Sequence, residues 1–311
     1  MKTTPVVLAD LPASVIAVPP LCRDKDLAFS RAANQALIRH LESGGVTTLM
    51  YGGNANFYGV GLYEYAAVVD ALAEIAAPTS WVIPSIGADF GKMLDQVAVL
   101  RTRAFPTAMV LPMASPIAPD GVEAGIRRVA DAYGKPVVVY IKADGYIAPE
   151  GVKRLVEAGA VSFVKYGTVR KDPGDDPFLA RLVEVVDRRL VVSGIGERPA
   201  IAHMRDFGLA GFTSGSVCVA PRGSMALLAA LKRRDYAAAE RVRAAYIPLE
   251  DCRDRWSPIP VLHEAVRLAG IADSGPILPM LANLDRELHE PVAKAARELL
   301  AFDRNLAARA A

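Results

Sequence analysis

The sequence predicts a (β/α)8 barrel carrying a helical extension at its C-terminal end. Three observations point to it: eight short runs rich in β-branched residues, amphipathic segments between them, and run centres recurring roughly every 25 to 35 residues, the length of a strand, a helix and two loops in such a barrel. An open, doubly wound sheet has the same alternation, but eight units of even length favour closure.

The strand runs begin at Ser14 (SVIAV), Val46 (VTTLMY), Trp81 (WVIPSI), Thr107 (TAMVL), Pro136 (PVVVYI), Val161 (VSFVKY), Leu190 (LVVSG) and Gly211 (GFTSG). Between them the apolar spacing changes to the helical period. Phe29, Ala33, Leu37 and Leu41 share one helix face, and Val122, Ile126, Val129 and Tyr133 share another, so these are packing residues. Gly44-Gly45 closes the first helix before the second strand. Pro149 near a helix start, with Glu150 in the first turn, opens the helix after the fifth strand.

From Pro221 onward the pattern is all helical, and Leu284, Leu288, Val292 and Leu299 stand at helix spacing in the last segment. No Ser/Gly linker or low-complexity stretch intervenes. Residues 1–232 are therefore expected to form the barrel and residues 233–311 a helical extension packed on it within the same domain.

Of the 311 residues 52% are hydrophobic, ample for a large core, and 36 Lys and Arg are scattered among 34 Asp and Glu for a net charge of +2. This excludes the concentrated basic face of a nucleic-acid binder and points to a small-molecule partner. No run of about 18 apolar residues is present to span a membrane. Asp10 and the prolines around it break the N-terminal apolar stretch before a signal-peptide core can form. Cys22, Cys218 and Cys252 cannot all pair within one chain and make no CxxC, which fits a reducing cytoplasm.

In a barrel the chemistry sits at the C-terminal ends of the strands. Two reactive residues stand there: Tyr140 near the end of the fifth run and Lys165 near the end of the sixth. A lysine in a buried strand must give up the hydration of its ammonium, which lowers its pKa and frees the neutral amine. Such an amine attacks a ketone to form an iminium, an electron sink for breaking a neighbouring bond. A phenol on the adjacent strand can move the proton at the substrate oxygen. The plainer alternative is a lysine that reaches solvent or pairs with Asp144, beside a tyrosine that merely packs.

Other constellations are weaker. Ser193-Gly194-Ile195-Gly196 and Ser214-Gly215-Ser216 follow strands seven and eight, where barrels bind phosphate, although tight turns against the pocket account for the glycines better. YGGNANFYG lacks a following GK[ST] and the GxGxxG order, so neither a P-loop nor a dinucleotide site is read there. His40, His203, His263 and His289 are isolated, and no metal or cofactor is expected. No Gly-x-Ser-x-Gly elbow is present. The charged segment from Arg170 to Asp176 reads as a solvated loop, with Arg170 placed to clamp a distal substrate group.

Across nearly its whole length the chain resembles the dihydrodipicolinate synthase and N-acetylneuraminate lyase family. The resemblance rests on AVPPL, YGGNANFYG, PVVVY, FVK, the strand-seven SG, SPIPVLHEAV and SGPILPML, in matching order. It implies that Lys165 forms an imine with pyruvate or another 2-oxo acid and that Tyr140 shuttles protons. It also implies a homo-oligomer, a tetramer or dimer. The Gly53 and Asn54 loop is expected to hold the substrate carboxylate, with Gly194 and Thr213 completing the substrate-binding set.

Three departures separate the chain from an authentic dihydrodipicolinate synthase. Gly53 stands where the family has a relay threonine; Pro112-Met113-Ala114-Ser115 replaces a Tyr-Tyr pair; and Ile141 to Tyr146 replaces Asn-Val-Pro-Gly-Arg, with Lys142 or Tyr146 as the nearest substitutes. The expected function is a class I lyase acting on a 2-oxo acid such as pyruvate or a 2-keto-3-deoxy sugar acid, by aldol cleavage or addition or by dehydration. The alternative is a catalytically degenerate barrel that binds a 2-oxo acid as a binding or regulatory protein.

Overall fold

In the computed structural model, which describes residues 1–310, the apolar runs become eight parallel strands. These are β1 (Ile16–Ala17), β2 (Thr48–Tyr51), β3 (Trp81–Ile86), β4 (Met109–Val110), β5 (Val137–Ile141), β6 (Val161–Tyr166), β7 (Val191–Ser193) and β8 (Gly211–Ser214). Each pairs with the next, and β1 pairs with β8 through Ile16↔Thr213 and Ala17↔Ser214, so the sheet is a closed barrel and the open-sheet alternative is excluded. Every residue of β3 and β5 is buried, as parallel strands must be when helices cover the outside and side chains fill the inside.

Eight helices follow the strands: α1 (Arg31–Ser43), α2 (Leu62–Ile75), α3 (Phe90–Leu100), α4 (Pro119–Tyr133), α5 (Pro149–Glu157), α6 (Pro177–Val185), α7 (Ala200–Asp206) and α8 (Pro221–Lys232). Pro119, Pro149, Pro177 and Pro221 each open their helix, where a missing N–H costs nothing and the fixed φ is already helical. Ser30 caps α1 by accepting from the Ala33 N–H. Phe29 is therefore not on the helix face assigned to it by spacing; it lies before the cap, in an antiparallel bridge with Arg23, and still packs on the core.

Beyond Lys232 come α9 (Tyr236–Trp256), α10 (Pro258–Leu268) and α11 (His289–Ala310); of the 233–311 extension, residue 311 lies outside the described residues. These helices enclose a second apolar cluster around Tyr246, Leu249, Val261, Val292 and Leu299, continuous with Val219 and Ala220 at the start of α8. Leu284 and Leu288 pack there too, but not on α11. Pro291 explains the difference: placed inside a longer helix its ring would meet the carbonyl four residues back, so the helix starts at His289 with proline in its first turn. Among the described residues no helix is long and apolar enough to cross a membrane.

The barrel is plugged at its N-terminal end. Ile16, Thr48, Trp81, Ile83 and Phe163 converge there under Val6 and Leu11, leaving no room for a water molecule. The strands terminate at the opposite end, where a cavity opens beyond β4 and β5.

Candidate active site

Residues alternate between the two sides of a strand, and in-register neighbours on parallel strands share a side. The β5–β6 register slips once, between Val137 and Val138, and beyond that point Tyr140 pairs with Lys165. Tyr166 points outward: its hydroxyl donates to Asp176 Oδ2 (2.6 Å) and its ring stacks on Phe178 of α6. Lys165, one residue earlier, therefore faces the interior, with its Nζ 4.2 Å from the centre of the Tyr140 ring.

Lys165 is 4% exposed. Burial, reinforced by the nearby Lys142 ammonium, lowers its pKa from an ordinary 10.5 to about 7. The alternative pairing with Asp144 is not made, because both Asp144 oxygens accept from Arg170 at 2.7 Å. Arg170 also reaches Asp176 and the Tyr166 hydroxyl, so it ties the loop after β6 to the loop after β5. The clamp role read for Arg170 is thus at odds with its geometry: its guanidinium is consumed within the protein. Burial, with a further push from Tyr58, holds the Tyr140 phenol protonated well above its usual range.

After β2 the chain turns through Gly52, Gly53 and Asn54. Added side-chain volume at Gly52 would collide with Met109 and crowd the Ser85 hydroxyl, whereas at Gly53 nothing lies within 4 Å. Gly53 thus borders open space at the barrel mouth. The Asn54 side-chain amide donates to Val18 O (3.2 Å), which fixes the turn against the end of β1.

Gly194 is packed tightly: its N–H donates to Tyr166 O (2.6 Å), and a Cβ there would come within 2.7 Å of the same oxygen. Thr213 shares the interior side with Lys165, through Lys165↔Val192 and Val192↔Gly211 two residues before it. The hydroxyls of Thr213 and Ser85 are both buried without a protein partner. Unpaired buried hydroxyls are rare and are a common mark of a site completed by a ligand or water. Lys165 and Tyr140 are thus brought together, Thr213 lies on the same interior side and the Gly53 turn follows the end of β2, while the Gly194 N–H is already used.

A buried polar network behind this end escapes sequence reading. Glu197, in the loop after β7, accepts from Ser214 (2.8 Å) and Ser224 (2.5 Å), and its N–H donates to Glu250 of α9 (3.0 Å). Arg253 donates to Glu250 (3.0 Å) and to Ile195 O (2.7 Å). Burial pushes both carboxyls up. The only local signal is Gly196, whose φ of +93° and closeness to Glu250 and Arg253 leave no room for a side chain.

The histidines stay apart. His40, His263 and His289 bond the carbonyls of Val219, Gly275 and Leu284, and His203 bonds the Ser193 hydroxyl. A cavity of about 620 Å³ opens at the ends of β4 and β5, bordered by Tyr58, Pro112, Met113, Lys142 and Tyr146.

The closed eight-stranded barrel thus holds a buried lysine, its pKa lowered to about 7, against a tyrosine on the neighbouring strand. No family model matches the chain. In sequence it is 25% identical to a probable 5-dehydro-4-deoxyglucarate dehydratase of Rhizobium meliloti (strain 1021) over 258 residues, 79% of this chain and 83% of the relative. In fold it superposes on a dihydrodipicolinate synthase from Acinetobacter baumannii solved with pyruvate, with a TM-score of 0.81, 18% identity, and 92% of this chain and 98% of the other covered. It likewise superposes on an N-acetylneuraminate lyase from Mycoplasma synoviae, with a TM-score of 0.78, 18% identity, and 94% and 99% covered. The chain therefore shares the fold of these synthases and lyases, and in sequence it is similar to a protein described as a probable dehydratase.

Proposed function

We propose that the protein is a class I lyase that forms a Schiff base between Lys165 and a 2-oxo acid, then cleaves or forms an aldol bond or eliminates water. The observation that carries this reading is the buried Lys165 amine, brought to a pKa of about 7 beside Tyr140. At neutral pH a large fraction of such an amine is unprotonated and nucleophilic.

The amine adds to the ketone carbon, the carbinolamine loses its oxygen as water, and an iminium results. Electrons of the neighbouring C–C bond then flow into the iminium as that bond breaks and an enamine forms. In dehydration the C3–H electrons form the enamine as the proton is lost, and the enamine then expels the C4 hydroxide, which leaves as water once protonated, giving a conjugated iminium. Tyr140 donates the proton that makes the carbinolamine oxygen a leaving group, and it regains one afterwards. The Gly53 and Asn54 turn receives the carboxylate, Thr213 offers its unpaired hydroxyl, and Gly194 supplies a close-packed wall.

The relatives agree in chemistry. A 5-dehydro-glucarate carries its ketone beside a terminal carboxylate and is itself a 2-oxo acid, and one structural neighbour was solved with pyruvate. Three free thiols fit a reducing cytoplasm, and a homo-oligomer is the assembly implied by the resemblance of the motifs. A second reading, binding without turnover, is favoured by one feature: Gly53 brings no hydroxyl to the mouth. Lys165→Ala decides between them. Loss of all 2-oxo acid turnover in a folded variant supports the lyase, whereas unchanged turnover, or none in the wild type across a 2-oxo acid panel with binding retained, supports the binding protein.

A further inference from the structure

The cavity beside the Schiff-base site has a wall chemistry that selects the far half of the substrate. We infer, building on the lyase reading, that the protein takes 2-oxo acids whose distal portion is an aromatic or comparably apolar group, in preference to polyhydroxylated sugar acids.

Lys142 follows Tyr140 by two residues at the end of β5, and Tyr140 is the register partner of Lys165 with its ring centre 4.2 Å from the amine, so the cavity that Lys142 borders lies at the strand ends just beyond this pair. At about 620 Å³ the cavity is far larger than a three-carbon acid requires. Its wall is built of Ala88, Pro112, Met113, Ala114 and Ile117 between the rings of Tyr58 and Tyr146. A second apolar space of about 430 Å³ continues from Met113, Ile117 and Tyr146 toward Phe90 and Val110.

A sugar-acid tail presents several hydroxyls, each needing partners once water is stripped away, and each one left unpaired is penalised. Few partners exist here. Asp144, the one carboxylate on this wall, is held by Arg170 through both oxygens, and the Tyr58 hydroxyl is directed at Pro112 O (3.5 Å). Among the side chains what remains is the Lys142 ammonium and the Tyr146 phenol, enough for a single anionic or phenolic substituent, so a polyol would have to rely on main-chain groups of the 142–146 loop. An aromatic ring, by contrast, gains from burial against Met113 and Ile117 and from edge or face contact with the two tyrosines.

The test is calorimetric binding of 4-phenyl-2-oxobutanoate and of 4,5,6-trihydroxy-2-oxohexanoate to the wild-type protein, alongside reductive trapping of pyruvate on Lys165. The aryl acid should bind about tenfold or more tightly than the trihydroxy acid. Met113→Asp, which places a charge on the apolar wall, should remove that preference. Equal affinities, tighter binding of the polyol, or no detectable binding of either overturns the inference. Trapping with polyol preference leaves the lyase reading standing and this one lost; aryl preference without trapping does the reverse.

Discussion

The Lys165 amine lies 4.2 Å from the centre of the Tyr140 ring, on strands where the two residues are register partners. A cation over an aromatic face is normally favoured. Here the loss of hydration and the nearby Lys142 ammonium outweigh that attraction and bring the amine to a pKa of about 7. The same ring that shields the lysine from water carries a hydroxyl, so the nucleophile and the proton donor of the proposed reaction would be one side-chain pair.

Reactivity at Lys165 should therefore rise with pH through a midpoint near 7, because only the unprotonated amine attacks a ketone. Removing the neighbouring positive charge favours protonation, so Lys142→Gln should move the midpoint upward. The pH profile of pyruvate trapping with cyanoborohydride measures both; a Lys142→Gln midpoint that stays put or falls would contradict the assigned cause.

Lys165 also shapes stability. Its folded pKa is depressed from 10.5 to about 7, so between these values the unfolded chain binds more protons and stability rises with pH. Below pH 7 both states are protonated and the full penalty of burying the charge remains. Lys165→Met should be more stable than the wild type at pH 6, on the order of a few kcal/mol, with the gap closing toward pH 10. Denaturant unfolding of the two proteins across that range reads the difference, in which the titration of other groups cancels.

Tyr140→Phe keeps the ring beside the amine and deletes the hydroxyl. Turnover of a 2-oxo acid should fall by about 10²- to 10⁴-fold, the usual worth of a positioned acid–base group, while pyruvate still becomes trapped on Lys165. A variant as fast as the wild type would remove Tyr140 from the chemistry.

Arg253 anchors the loop after β7 to α9. Arg253→Met would strand the buried Glu250 carboxyl and the Ile195 carbonyl as acceptors without a donor, and should cost about 1 to 3 kcal/mol for each and raise KM through the loosened loop. Glu250→Gln should be far milder, because burial already favours the protonated carboxyl, which an amide imitates. Comparing unfolding and steady-state kinetics of the two variants checks this.

Much of the site is local in sequence and was legible there. Lys165 and Tyr140 stand at strand ends, and a short β-branched run fixes where a strand ends and which side its residues face. The Glu197 contacts with Ser224 and Glu250 join residues far apart in the chain, and no spacing rule brings them together. Arg170 shows the converse: its position beside the mouth was readable, but its pairing with Asp144 depends on how two loops fold over one another. Helical spacing at Leu284 and Leu288 signalled packing correctly but one continuous helix wrongly: Leu284 precedes the helical turns, Leu288 ends the short 3-10 helix Arg286–Leu288, and α11 starts at His289 with Pro291 in its first turn.

In the proposed reaction one buried amine is the nucleophile. Incubating the protein with pyruvate and borohydride at pH 7.5, then mapping the modified peptide by mass spectrometry, tests it most directly. A single reduced adduct on Lys165, absent from Lys165→Ala, is the predicted result; an unmodified protein, or an adduct on another lysine, would contradict it.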